Sequence, residues 1–188
     1  MKRIYFSILS FFLFSTTLLF GTEYTIETVP NVHLQNAKAF VSNPDAILSP
    51  SAEQQINLLL DSLQTKTSAE VAVVAVNSIG DADIKQFATA LFEHWGIGKR
   101  EKDNGLLILF VLDQRKITFE TGYGLEGILP DAICKRIQTR YMLPEFKTEN
   151  YDKGMLQGLN AIYHRLSTPE AQDELWVQSQ TAQEDWGK

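Results

Sequence analysis

The chain has 188 residues, 44% of them hydrophobic, with 17 Lys and Arg against 23 Asp and Glu and a net charge of -6. That is enough apolar material for one domain with a real core, and too acidic a balance for a nucleic-acid partner, which needs clustered Lys and Arg. A single cysteine, Cys134, excludes an internal disulfide and leaves stability to the core.

Residues 1–21 read as a secretory signal peptide. Lys2 and Arg3 give a basic start, residues 4–20 are an apolar run broken by small hydroxyl residues, and Gly21 offers a small residue for cleavage. Leu19 stands where a small residue is expected three before the cut, so an uncleaved anchor is the competing reading. No cysteine lies near the cut, and no later apolar stretch approaches the ~20 residues that span a bilayer. Without Lys2 and Arg3 the 17 basic residues become 15 against 23 acidic ones, and the net charge moves from -6 to -8. The expected location is secreted or periplasmic, with no transmembrane helix after cleavage.

Residues 22–37 read as a polar linker, 38–167 as the folded domain and 168–188 as an acidic tail bearing Trp176 and Trp186. Ser49 and Pro50 open a helix as cap and first residue, and Ile56, Leu59, Leu60 and Leu63 repeat at helical spacing to about Gln64. Residues 71–76 form a β-branched run without a polar face, the pattern of a central strand buried on both sides. Asp81 is expected to cap a second helix with the stripe Ile84, Phe87, Ala88, Leu91 and Trp95, ended by Gly96. Residues 106–112 make a second wholly apolar strand. Asp113, Gln114 and Arg115 turn the chain into a third, in which Ile117, Phe119 and Thr121 alternate with Thr118 and Glu120. A helix over 130–142 with Ile133, Ile137 and Tyr141 inward precedes Pro144. A last helix over 151–166 carries Met155, Leu159, Ile162 and Leu166 on one face, with Gly154 and Gly158 for close packing. The sum is a single compact α/β domain, a small mixed β-sheet flanked by helices.

Several motifs dissolve on inspection. Gly122-Tyr123-Gly124-Leu125-Glu126-Gly127 is a literal G-x-G-x-x-G, but a half-wet hairpin strand precedes it and no acid-tipped strand follows, so no nucleotide cofactor is expected. Cys134 and Arg140 have the C-x5-R spacing of cysteine phosphatases, yet the step falls inside a helix and separates the side chains by about 240°. Asp81-Ala82-Asp83 resembles an aspartate phosphatase start but sits at a helix cap. His33, His94 and His164 have no metal spacing, and His94 is expected to pack beside Trp95. Residues 96–105 do not follow the EF-hand ladder, because Arg100 and Lys102 fall where acids belong. What remains is a hairpin whose two outer loops meet at one end. Asp103, Asn104, Glu126 and Asp131, with loop carbonyls, are hard oxygen donors suited to Ca2+. The competing reading makes Asn104-Gly105 a turn, Asp131 a helix-terminus acid and Glu126 a solvated side chain.

The ordered blocks Leu48-Ser49, Trp95-Gly96-Ile97-Gly98, Asp103-Asn104-Gly105-Leu106-Leu107, Asp113-Gln114-Arg115-Lys116, Gly122-Tyr123-Gly124-Leu125-Glu126-Gly127 and Leu129-Pro130-Asp131 resemble the TPM domain family over most of the presumed domain. The resemblance implies an exported α/β domain of the bacterial envelope or thylakoid lumen. It also brings three precedents: calcium binding in some bacterial members, acid phosphatase activity assigned to a plant lumenal member that supports photosystem II repair, and an animal relative that is accessory to a ligand-gated channel. Many bacterial members continue into a transmembrane helix and a Gly/Ser-rich tail, where this chain has a short acidic tail. Pro130 stands where the family often has Thr.

The expected function is a calcium-binding accessory module acting on an envelope or membrane protein. The alternatives are a metal-dependent phosphatase, in which a cation held by the same carboxylates activates water, and a metal-free interaction domain. Arg115 is expected at the far end of the hairpin, away from the acidic loops.

Overall fold

A computed structural model describes residues 22–98 and 102–171. The expected signal peptide, the loop residues Lys99, Arg100 and Glu101, and the tail with Trp176 and Trp186 lie outside the described residues. The domain is a four-stranded sheet in the order β1-β2-β3-β4. The strands are β1 (Val41–Ser42), β2 (Glu70–Val76), β3 (Gly105–Val111) and β4 (Lys116–Thr121). The first three are parallel and β4 returns antiparallel to β3, which makes the sheet mixed as the pattern implied.

The two apolar runs are explained by helices on both faces. Val71, Val73 and Ala75 of β2 and Leu106, Ile108 and Phe110 of β3 join one core with α1 (Pro50–Thr67) and α5 (Tyr151–Leu166). Val74, Val76, Leu107, Leu109 and Val111 face a second core under α2 (Ile84–Trp95). Alternate residues point to opposite faces, so a strand covered on both sides has no position for a polar residue. The hydroxyl of Ser49 accepts the Ala52 N–H at the start of α1, and Ser68 ends that helix at φ 62. That end lies three residues beyond the expected Gln64.

The structure corrects four sequence readings. The cap of α2 is Asp83, not Asp81: its carboxylate accepts the Lys85 and Gln86 N–H groups, both at 3.0 Å. Ile26 and Val29, in the stretch read as a linker, pack on the second core, where Val29 is buried. The expected 130–142 helix is α3 (Asp131–Ile137) followed by a wide π-helical turn (Gln138–Met142) and the short α4 (Leu143–Phe146). The extra residue in the wide turn shifts the inward face, so Cys134, Ile137 and Met142 are buried while Ile133 and Tyr141 only flank the core. Finally, His94 is exposed and only Trp95 is partly covered.

Candidate functional site

The hairpin brings its two outer loops together as anticipated. The Gly122 N–H donates to the Gly105 carbonyl at 2.8 Å, and the Gly124 N–H donates to the Asp103 carbonyl at 3.0 Å. The approach is so close that a Cβ on Gly122 would overlap the Asp103 carbonyl oxygen, and one on Gly124 the Lys102 carbonyl oxygen. Asp103 itself turns the chain at φ 42, a left-handed conformation that short polar side chains tolerate. After β4 the chain makes one tight turn over Tyr123–Leu125 and continues into Glu126. Leu125 is fully buried, whereas Tyr123 is 78% exposed. The result is a fixed backbone platform with Asp103, Tyr123 and Glu126 facing solvent.

The four expected ligands do not share one role. Asn104 is fully buried, and its side-chain amide donates to the Ser68 carbonyl at 2.7 Å and the Ser68 hydroxyl at 3.2 Å. Its backbone carbonyl accepts the Glu70 N–H at 3.0 Å. Asn104 therefore ties the start of β3 to the α1–β2 turn. Asp131 lies in the first turn of α3, where a carboxylate complements the helix dipole. It lines a groove of about 480 Å3 along the open edge of β4, together with Lys85, Arg115, Lys116, Cys134 and Lys135. Asp103 and Glu126 do not line that groove. Arg115 thus shares a groove with Asp131, an arrangement the hairpin pattern did not reveal. Lys85 closes part of the edge by donating to the Phe119 carbonyl at 3.2 Å and pairing with Glu120 at 2.7 Å.

Among the described residues no three His, Cys, Asp or Glu side chains cluster as a metal-binding group. The donor chemistry available to a hard cation at the paired loops is two exposed carboxylates, Asp103 and Glu126, and neighbouring carbonyls. Cys134 is a core residue. Its thiol donates to the Leu129 carbonyl at 3.3 Å, and burial, reinforced by nearby Asp131, pushes its pKa up to about 11. Arg140 stacks over the Tyr141 ring at 5.7 Å, so the C-x5-R spacing builds no phosphate loop. Sequence reasoning missed the basic side of the β4 groove, because Lys85, Arg115 and Lys135 come from three separate elements and no local spacing links them.

Among curated proteins none matches this chain. Solved structures that share the fold include the following three. The N-terminal domain of a Porphyromonas gingivalis (P.gingivalis) protein is 41% identical, with a TM-score of 0.73, over 77% of this chain and 92% of that one. The BA42 protein of the psychrophilic bacterium Bizionia argentinensis is 18% identical with a TM-score of 0.58, covering 67% of this chain and 86% of that one. The N-terminal domain of the cg2496 protein of Corynebacterium glutamicum is 15% identical with a TM-score of 0.56, covering 75% and 86%. The last two speak for the fold alone. A family model for the TPM domain matches residues 41–165, which takes in every strand and all but the last residue of α5, and the chain belongs to the TPM domain family.

Proposed function

We propose that this TPM domain is an exported accessory module that binds a partner in the cell envelope through its paired loops, with Ca2+ held at Asp103 and Glu126. The observation that carries the reading is the interlocked platform. Its backbone is fixed by the Gly122 and Gly124 contacts while Tyr123 stands 78% exposed beside two carboxylates. An exposed tyrosine on a rigid frame is a frequent interface anchor. A cation between the loops would neutralise their charge and fix the carboxylates for a partner. With two carboxylates and the rest carbonyls and water, the site belongs to the weak class of extracellular calcium modules, with Kd about 10⁻⁴–10⁻³ M. The test is the melting temperature with and without calcium. Wild type and Asp131→Asn should both gain stability with calcium, and the Asp103→Asn/Glu126→Gln variant should not. An equal gain in the double variant would sink the site.

A second reading, a phosphatase, draws support from the β4 groove, where Arg115, Lys116 and Lys135 offer cations for a phosphoryl group near the Asp131 carboxylate; the Asp103 and Glu126 carboxylates of its metal-dependent form do not line that groove. Release of phosphate from para-nitrophenyl phosphate that disappears in both Arg115→Ala and Asp131→Asn would favour it over the accessory module.

A further inference from the structure

β4 is an edge strand, and the direction of its peptide groups follows from the register. The Gly122 N–H donates to the Gly105 carbonyl, and the next pair along the ladder is Leu106 with Thr121. Bonded and unbonded positions alternate along an antiparallel pair. Lys116, Thr118 and Glu120 therefore bond β3, while Ile117, Phe119 and Thr121 turn their peptide groups outward. The Phe119 carbonyl bears this out: it accepts the Lys85 ammonium at 3.2 Å, and that side chain is 54% exposed. Ile117 and Thr121 are half-buried, and Lys116 is exposed. The groove of about 480 Å3 runs along this edge, with Ile117, Thr118 and Phe119 in its lining.

Charge and alternation define the segment that fits. Lys85, Arg115, Lys116 and Lys135 line the groove against one carboxylate, Asp131, in a chain whose net charge is -6. Among the described residues Arg115, Lys116 and Lys135 form no ion pair. Successive strand residues face opposite ways. Glu120 pairs with Lys85 of α2, so Lys116 and Thr118 share the α2 face. On the opposite face Ile117, Phe119 and Cys134 belong to the first core. From Lys116 to Phe119 the edge is about 10 Å long and seats about four extended residues. A second copy of β4 would bring its own Lys85 and Lys116 against these cations, which guards the edge against self-pairing. An acidic strand meets no such repulsion.

We infer that the β4 edge seats an extended acidic segment of a partner protein by strand addition. The segment's backbone bonds the Ile117 peptide groups, its carboxylates face Lys85 and Lys116, and the apolar side chains between them face Ile117. The seat requires neither the proposed cation nor phosphate release, so its test is run in chelator. The isotope-labelled protein is titrated with three amidated, acetylated pentapeptides, and amide shifts are followed by NMR. They are the alternating Glu-Val-Glu-Val-Glu, its counterpart Lys-Val-Lys-Val-Lys, and the reordered Glu-Glu-Glu-Val-Val. The alternating acidic peptide should produce saturable shifts at Ile117, Thr118 and Phe119. The lysine peptide should produce none, and the reordered peptide, with the same charge, should bind about tenfold more weakly. Lys116→Glu, at an exposed position, should weaken the alternating acidic peptide about tenfold and leave the melting temperature unchanged. Absence of saturable shifts at β4, equal binding of the lysine or the reordered peptide, or unchanged affinity in a folded Lys116→Glu variant would each overturn the inference.

Discussion

Cys134 keeps its proton well above the pH at which an ordinary thiol loses it, because its sulfur is enclosed by the α3 core and faces the Asp131 charge. In the folded protein it should react with iodoacetamide at pH 8.5 far more slowly than in urea. The same shift fixes a sign. The folded thiol binds its proton to higher pH than the unfolded one, so its contribution is complete below the unfolded pKa of about 8.5 and is lost as pH rises toward 11. Denaturation midpoints should fall across that window, and Cys134→Ser should flatten the fall. Asn104 and Asp103, adjacent in sequence, should behave oppositely. Asn104→Ala removes a fully buried amide and leaves the part-buried Ser68 carbonyl without it, and should cost about 2 kcal/mol in a urea melt, whereas the exposed Asp103→Asn should stay within about 0.5 kcal/mol. Sequence alone gave both residues the same role as oxygen donors. Nothing local distinguishes them, since the burial of Asn104 is imposed by Ser68, 36 residues earlier.

The elements were more legible than their details. Apolar runs without a wet face identified β2 and β3, and Ser49-Pro50 and Gly96 marked helix ends, because these signals are local. The wide turn at Gln138–Met142 has no such signature and exchanged Tyr141 for Met142 on the buried face. Asp81 and Asp83 compete for one cap, and the geometry of the Ile79–Asp83 turn decides between them. Glycine substitutions test the element contacts. Gly124→Ala must displace the Lys102 carbonyl and should cost more than about 2 kcal/mol, while Gly96→Ala meets open space and should cost only the left-handed φ of 63, about 1 kcal/mol. In α5, Gly154→Ala gains helix propensity of about 1 kcal/mol but drives a methyl to 2.5 Å from the Phe146 ring, so the net effect should be destabilising. Calorimetric melting temperatures rank all three.

At the scale of the molecule, a sheet covered by helices on both faces leaves function to its ends and edges. One end carries the interlocked acidic loops and one edge the basic β4 groove. The acidic end was visible in the order of the sequence, because hairpin geometry brings flanking loops together. The edge groove was not, because it gathers residues from distant elements. Among the described residues no helix is long and apolar enough to cross a membrane. The central claim concerns the acidic end, and calorimetric titration of calcium into chelator-treated protein tests it most directly, with magnesium as the control. The account predicts saturable binding of one calcium per chain, preferred over magnesium and lost in Asp103→Asn/Glu126→Gln. No binding heat at millimolar calcium, or binding unchanged in that variant, would contradict it.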